Sequence, residues 1–253
     1  MKINLSNLNI YYEVQGKGDN ILLLHGWGMD SGNLRDVSTL LKEKTSSRVY
    51  SLDLPGFGFS DTPEVPWCVD DYVNLVRSFI ESQNLSKVSI LGHSFGGRIA
   101  IKLAAQYPTS LDRLILVDSA GIIPKRRAGY YFKVYLAKII KFLKKTFPGI
   151  ANWKVFETLS SSVGSEDYKR ANQLRGTLVR VVNEDLKPCL PGIKARTLLI
   201  WGEQDKEVPV SDAKIMKDLI SNSQLEIVRH AGHFPHMDNF HEFSQYLLDF
   251  WRS

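Results

Sequence analysis

Short continuous apolar runs alternate with longer amphipathic stretches through residues 1–121 and again through 193–253. Asn20–Leu24 reads as a strand buried on both faces, because every residue after Asn20 is apolar and the run stops at His25-Gly26. The same reasoning predicts strands at Arg48–Leu54, Lys87–Leu91, Leu111–Val117, Arg196–Trp201 and Leu225–Arg229. An opening hairpin is expected from Lys2–Leu5 and Asn9–Val14, ended by Gly16 and Gly18. Helical patterns fall between them, at Leu34–Lys44, Val69–Gln83, Phe95–Tyr107, Ser211–Ile220 and Phe240–Trp251. Asp70 and Asp71 suit the start of the second of these, and Pro108 stops the third. Strand and helix in alternation predict an α/β fold, a mostly parallel twisted sheet of about eight strands with helices on both faces.

Residues 122–192 break the rhythm. They lack a buried strand pattern and read as several helices with turns at Pro148-Gly149 and Pro188. A helical insertion between two parallel strands is expected to cap the strand carboxyl ends, where open α/β sheets bind ligands. The predicted division is thus a core of 1–121 and 193–253 with a helical cap of 122–192.

Composition adds bounds. The chain has 253 residues, 43% hydrophobic and 23% charged, which fits one globular core. No apolar run reaches transmembrane length, and Met1–Ser6 lacks a signal-peptide pattern, so a cytoplasmic protein is expected. Cys68 and Cys189 offer no metal spacing and read as two unpaired thiols. The net charge is +5, but no nucleic-acid motif accompanies it, so nucleic acid is not an expected partner.

The positive charge concentrates in the cap. Lys125, Arg126, Arg127, Lys133, Lys138, Lys141, Lys144, Lys145 and Lys154 occur with no Asp or Glu among them. Tyr131, Tyr135, Ile139, Ile140 and Leu143 fill the other side of the same helical wheel. The simplest reading is a lid helix with its apolar face on a pocket and its lysines in water. A weak membrane-surface contact is the rival reading.

Gly92-His93-Ser94-Phe95-Gly96 carries the chemistry. It has the form G-x-S-x-G, short enough to arise by chance. Its context is what matters: the apolar strand Val88–Leu91 precedes it and the apolar helix Ile99–Ala105 follows. Strand, sharp turn, helix is the setting in which a serine hydroxyl is exposed at a helix N-terminus, with glycines letting the neighbouring backbone come close.

With these residues the chain resembles the α/β-hydrolase-fold superfamily over nearly its whole length. The other landmarks are His25-Gly26-Trp27-Gly28, Asp53-Leu54-Pro55-Gly56-Phe57-Gly58-Phe59-Ser60, Trp201-Gly202-Glu203-Gln204-Asp205 and Gly232-His233. The resemblance implies a capped serine hydrolase of the esterase or carbon–carbon hydrolase type, with Ser94 as nucleophile. A serine needs a base. His233, in a loop just past the last strand, is the expected base, and the resemblance places the family's base there; His236 is its rival in the same loop. Asp205, after strand Arg196–Trp201, is the expected acid, giving the order Ser, Asp, His. Asp118, which ends Leu111–Val117, is the alternative acid, and Glu203 and Glu207 are nearer neighbours expected in water. The oxyanion donors are expected to be the backbone N–H of Phe95 and, by resemblance, that of Trp27. His25, Trp27, His93, Tyr131, Tyr135 and Phe234 are pocket candidates.

Other readings are weaker. Gly56-Phe57-Gly58 begins a dinucleotide fingerprint, but Asp61 stands where its third glycine belongs and Pro63 and Pro66 deny it the helix. Serine at 94 argues against the epoxide and dehalogenation chemistry of relatives with an aspartate there. No metal site and no cofactor are expected. The expected substrate is a small-to-medium hydrophobic acyl ester. A vinylogous diketone acid, held by Arg175 or Arg180 of the cap, is the alternative, and a low-turnover ligand-binding protein is the third.

Overall fold

The computed structural model of the protein describes residues 1–123 and 172–252. The middle of the expected cap, with Tyr131, Tyr135 and the basic helix, lies outside the described residues.

Eight strands form one sheet: β1 (Lys2–Leu5), β2 (Leu8–Gly16), β3 (Asp19–Leu24), β4 (Ser47–Leu52), β5 (Val88–His93), β6 (Leu111–Val117), β7 (Arg196–Gly202) and β8 (Ser223–Val228). Their order is β1-β2-β4-β3-β5-β6-β7-β8. β2 is antiparallel to both its neighbours, and every pair from β4 through β8 is parallel. The opening hairpin turns at Ser6 and Asn7, with φ of 51° and 62°, the left-handed pair that matches strand twist. Gly16 still belongs to β2.

The helices are α1 (Arg35–Thr45), α2 (Val69–Ser82), α3 (Phe95–Gln106), α4 (Arg175–Val182), α5 (Val210–Leu219), α6 (Pro235–Asp238) and α7 (Phe240–Arg252). Alternate residues of the central strands feed two apolar layers. Ile21, Leu23, Leu91, Ile115 and Ile200 pack with Val37, Leu41, Phe243, Leu247 and Phe250 of α1 and α7. Leu22, Leu24, Ile90, Leu116 and Leu199 pack with Val76 and Phe79 of α2, Ile99 of α3 and Met216 of α5. Each such side chain contributes about 1.5–3 kcal/mol on burial, so the run of apolar residues on both faces is what makes these strands central. α2 starts on a capping arrangement in which Asp71 Oδ2 accepts from the Cys68 N–H at 2.7 Å.

The register brings the functional loops together. Leu24 lies opposite Gly92, His93 opposite Val117, and Val117 opposite Ile200. The loops leaving β3, β5, β6 and β7 therefore start side by side at one end of the sheet.

Sequence periodicity missed the short elements, two of them near the strand ends. A 3-10 turn at Ser31–Leu34 is capped by Asp30, whose Oδ1 accepts from Gly32 N–H at 2.9 Å. α6 begins two residues after His233. Strand β4 also ends earlier than its apolar run, at Leu52. There the buried Asp53 turns the chain, taking the N–H groups of Ser31 at 2.7 Å and Phe59 at 2.8 Å. Gly58 is required beside it, since a Cβ at 58 would stand 2.1 Å from Asp53 Oδ2. The Gly56-Phe57-Gly58 stretch is thus a loop built around a carboxylate, and no helix opens from it. Among the described residues no helix is long and apolar enough to cross a membrane.

Candidate active site

Ser94 sits between β5 and α3 with φ 49° and ψ −106°, a conformation that costs an L-residue energy and persists only when its surroundings enforce it. They do so through backbone bonds: Ser94 N–H to Val117 O at 3.0 Å, Gly96 N–H to His25 O at 3.1 Å, and Ala120 N–H to Ser94 O at 3.2 Å. The motif glycine Gly96 has no room for a side chain, because a Cβ there would lie 2.1 Å from Leu24 O.

From Ser94 a chain of hydrogen bonds runs inward. The Ser94 hydroxyl lies 2.9 Å from His233 Nε2, and His233 Nδ1 lies 2.8 Å from Asp205 Oδ2. With Asp205 as a carboxylate, Nδ1 carries the proton and Nε2 is free to accept from the serine. Asp205 Oδ1 takes the N–H groups of Glu207 at 2.7 Å and Val208 at 3.0 Å. Burial works to raise the Asp205 carboxyl, but the hydrogen bonds from His233, Asp118 and Val208 outweigh it and hold the group below the usual carboxylate range. The Asp205 loop is itself tied down by Trp201, whose Nε1–H donates to Val208 O at 2.8 Å, and by Gln204 N–H on Ala231 O at 2.8 Å.

Asp118 stands behind Asp205. It is fully buried, its Oδ1 accepts from Gly202 N–H at 3.0 Å, and its Oδ2 has no N–H or O–H donor among the described residues. Burial, reinforced by the hydrogen bond with Asp205, pushes its carboxyl up to about 10. At neutral pH Asp118 therefore keeps its proton, as the hydrogen-bond donor to the Asp205 carboxylate, and it is Asp205 that bonds His233 Nδ1. The ligand-capable atoms of Asp118, Asp205 and His233 lie within 4.8 Å of one another. The contact the three groups share is a hydrogen-bond chain, with His233 Nδ1–H donating to Asp205 Oδ2.

Three other histidines, His25, His93 and His236, are buried near the site. His93 is buried, and its Nε2–H donates to the His233 carbonyl at 2.8 Å. Burial, with His236 and His233 nearby, keeps it well below the usual histidine range and neutral. His236, the rival base, points its Nε2 to Asn33 Oδ1 at 3.3 Å, and burial lowers it to about 4. His25 donates from Nδ1 to Gly26 O at 2.7 Å and accepts the Leu54 N–H on Nε2 at 2.9 Å. Phe234 packs on the rings of His93 and His233.

A cavity of ≈ 420 Å³ opens over Ser94. Trp27, Phe95, Ala120, Leu178, Val181, Val182 and Val208 give it apolar walls, with Arg98, Glu207 and His233 as its charged or ionisable groups. Of the pocket candidates, Trp27 lines it, and His25, His93 and Phe234 are not among its lining residues. Tyr131 and Tyr135 lie outside the described residues. Among the described residues the amides of Trp27 and Phe95 have no hydrogen-bond partner, and both residues face the cavity. Arg175 and Arg180 are exposed and do not line it; Arg180 Nη1 instead donates to Pro66 O at 2.6 Å. Sequence reasoning missed the cation that does line the cavity, Arg98, four residues after Ser94. Position in sequence offered no clear signal, because Lys102 follows four residues later on the same face of the helix and the pair reads as a solvated basic strip.

A family profile described as the alpha/beta hydrolase fold matches residues 19–240. The chain is 25% identical to 2-hydroxy-6-oxo-6-phenylhexa-2,4-dienoate hydrolase of Comamonas testosteroni, over 98% of this chain and 93% of that protein. It is 29% identical to pimeloyl-[acyl-carrier protein] methyl ester esterase of Nitrosomonas europaea, over 90% and 93%. A solved structure of a membrane phospholipase A superposes with a TM-score of 0.76 at 26% identity, covering 100% of this chain and 85% of that one.

Proposed function

The chain belongs to the α/β-hydrolase-fold family, and from that premise we propose that it is a serine hydrolase that cleaves a carboxylic ester of a small-to-medium acyl group. The observation that carries the reading is the hydrogen-bond chain Ser94–His233–Asp205 beneath an apolar cavity. Ser94 Oγ attacks the acyl carbonyl as His233 Nε2 takes its proton. Asp205 keeps Nδ1 protonated and stabilises the imidazolium that forms. The oxyanion is received by the amides of Phe95 and Trp27, each donor of this kind being worth about 3 kcal/mol of barrier. The protonated His233 then releases the alcohol, and a water activated by the same nitrogen hydrolyses the acyl-serine. No metal or cofactor enters this sequence of steps.

Residues 122–192 are read as the cap, and α4, its described part, supplies Leu178, Val181 and Val182 to the cavity wall. The experiment is a panel of acyl esters of varied chain length with mass-spectrometric detection of an acyl adduct on Ser94. Ser94→Ala is expected to lose kcat by on the order of 10⁶ and to lose labelling by a fluorophosphonate. Full activity in that variant overturns the reading, and tight ligand binding with negligible turnover in the unaltered protein replaces it with a ligand-binding one.

Carbon–carbon hydrolysis is the second reading. It is favoured by the likeness to the dienoate hydrolase across almost the whole chain, and the same three residues would serve it. Activity on a diketone acid far above that on simple esters decides for it.

A further inference from the structure

The cavity over Ser94 contains one feature that a purely hydrophobic acyl group does not use. Arg98 lines it, yet the residue is only 5% exposed. Taking a guanidinium out of water is costly unless its charge is answered. Among the described residues its one hydrogen bond is from Nη1 to the Glu184 carbonyl, at 2.9 Å. A guanidinium has five N–H donors, so a single carbonyl leaves most of its capacity unused. The nearby Glu184 carboxylate does not answer the charge either, because it is paired with Lys102, which also holds Asp70 at 2.7 Å. Burial lowers Arg98 to about 10, against the opposing pull of Glu184 and Asp185, and the group remains a cation at neutral pH.

Its position fits the reaction. Arg98 lies one helical turn beyond Ser94 on α3, a rise of about 5–6 Å, so it and the serine serve a single bound molecule. Among the described residues the anionic group lining the cavity is Glu207, which is exposed and lies 3.7 Å from His233 Nε2, where solvent screens it. Trp27, Leu178 and Val181 line the rest with apolar surface. Among the described residues the cavity is therefore polarised, with apolar walls and one buried cation, Arg98, beside Ser94.

We propose that Arg98 is a substrate-binding residue that receives a carboxylate carried by the substrate itself, so that the preferred substrate is an ester or ketone bearing a free carboxylate close to the scissile carbonyl. The inference rests on the hydrolase reading above and deepens it. A planar guanidinium matches a carboxylate through two parallel hydrogen bonds, and a substrate that completes Arg98 gains affinity that a neutral analogue of equal length does not. Arg98, rather than Arg175 or Arg180, then does the work expected of a carboxylate-binding arginine.

The test compares matched esters: monoethyl glutarate against ethyl valerate for a carboxylate on the acyl side, and the butyrate ester of glycolic acid against ethyl butyrate for one on the leaving group. In at least one pair kcat/KM is expected to favour the carboxylated member by tenfold or more. Arg98→Met is expected to reduce that ratio by on the order of 10–100-fold, mainly through KM, the size expected for loss of a charge-assisted hydrogen bond, and Arg98→Lys to restore part of it. A residue that merely ties α3 to the Glu184 loop would lower both members together and leave the ratio unmoved. An unmoved ratio in Arg98→Met, or no preference in the unaltered protein on either pair, overturns the proposal. Calorimetry on Ser94→Ala separates it from the chemistry. Tighter binding of the carboxylated esters there upholds the Arg98 site even if no ester is turned over, and equal binding removes it even if esters are cleaved.

Discussion

The loops after β6 and β7 start side by side, each carries a buried aspartate, and the two carboxyl groups are in opposite charge states. Asp205 receives two backbone N–H groups and the His233 N–H, enough donors to keep it ionised despite burial. Asp118 receives one N–H, from Gly202, and its other oxygen turns toward Asp205. Two carboxylates in contact inside a protein do not both ionise, and the one with fewer donors keeps the proton. The lesson is that placement at a strand end does not choose the acid. Burial together with the count of N–H donors does, and it leaves Asp118 as the protonated neighbour of the carboxylate that bonds His233 Nδ1.

The largest expected effect that would break this comparison is on turnover. Asp205→Asn should lower kcat on an aryl ester by roughly 10⁴, since an amide at this position favours the wrong imidazole tautomer. If Asp118→Asn gave the larger loss instead, the assignment of the two carboxyls would be reversed. Asp118→Asn keeps a donor toward Asp205 and an acceptor for Gly202 N–H, so kcat should stay within about threefold. Asp118→Leu removes both and leaves the Gly202 N–H buried without a partner, at a cost of about 1–3 kcal/mol in denaturant unfolding.

A pH series sharpens the same contrast. The folded chain keeps the Asp118 proton up to about 10, whereas an unfolded aspartate releases it near pH ~4. Between those limits the native state binds the extra proton, so this group's contribution to stability is full below ~4 and is lost as pH rises toward 10. Asp205 has the reverse sign. Its depressed carboxyl stabilises the fold above ~4, and that contribution is lost only as acid protonates it. Unfolding midpoints of Asp118→Asn measured from pH 5 to pH 9 should therefore fall less than those of the unaltered protein. An identical slope would mean that Asp118 is ionised in the folded state.

The smallest effect concerns how each loop is held. Trp201→Phe removes the Nε1–H bond to Val208 O and shrinks a fully buried ring, together costing about 1–3 kcal/mol of stability but only a few-fold in kcat through the Asp205 loop. The Asp118 loop hangs on main-chain bonds, Asp118 N–H to Ile200 O at 3.0 Å among them, and should not respond. Hydrogen exchange at Glu207 and Val208, compared with exchange at Ser119 and Ala120, checks this.

Much of the fold could be read from apolar periodicity. Runs such as Leu22–Leu24 and Leu114–Val117 are apolar on both faces, and only a central strand buries both. The hairpin, the parallel strands and the helices between them therefore stand where expected, within a few residues. The misses have a common cause. The 3-10 turn at Ser31 and helix α6 are too short to show a period, and β4 stops at Leu52 because the next residue, the buried Asp53, turns the chain to collect the amides of Ser31 and Phe59. The candidate site divides the same way. Ser94 announced itself through flanking glycines and neighbours in sequence. Arg98 did not, because a basic residue in a helix ordinarily faces water, and only the packing of α3 beneath the cavity buries it.

The sequence by itself determined which segments become strands, that a serine stands on a tight strand-to-helix turn, and that an aspartate and a histidine follow it in order. These are local properties, written in hydrophobic spacing and in glycines that permit close backbone contact. Tertiary structure alone decided which aspartate bonds His233, that its neighbour holds a proton, that His25 and His93 are buried near the site, and that a buried arginine shares the cavity with Ser94. Those outcomes depend on distances and burial between groups far apart in the chain, and both the protonation of a carboxyl and the exposure of a cation are set by such surroundings and not by residue type.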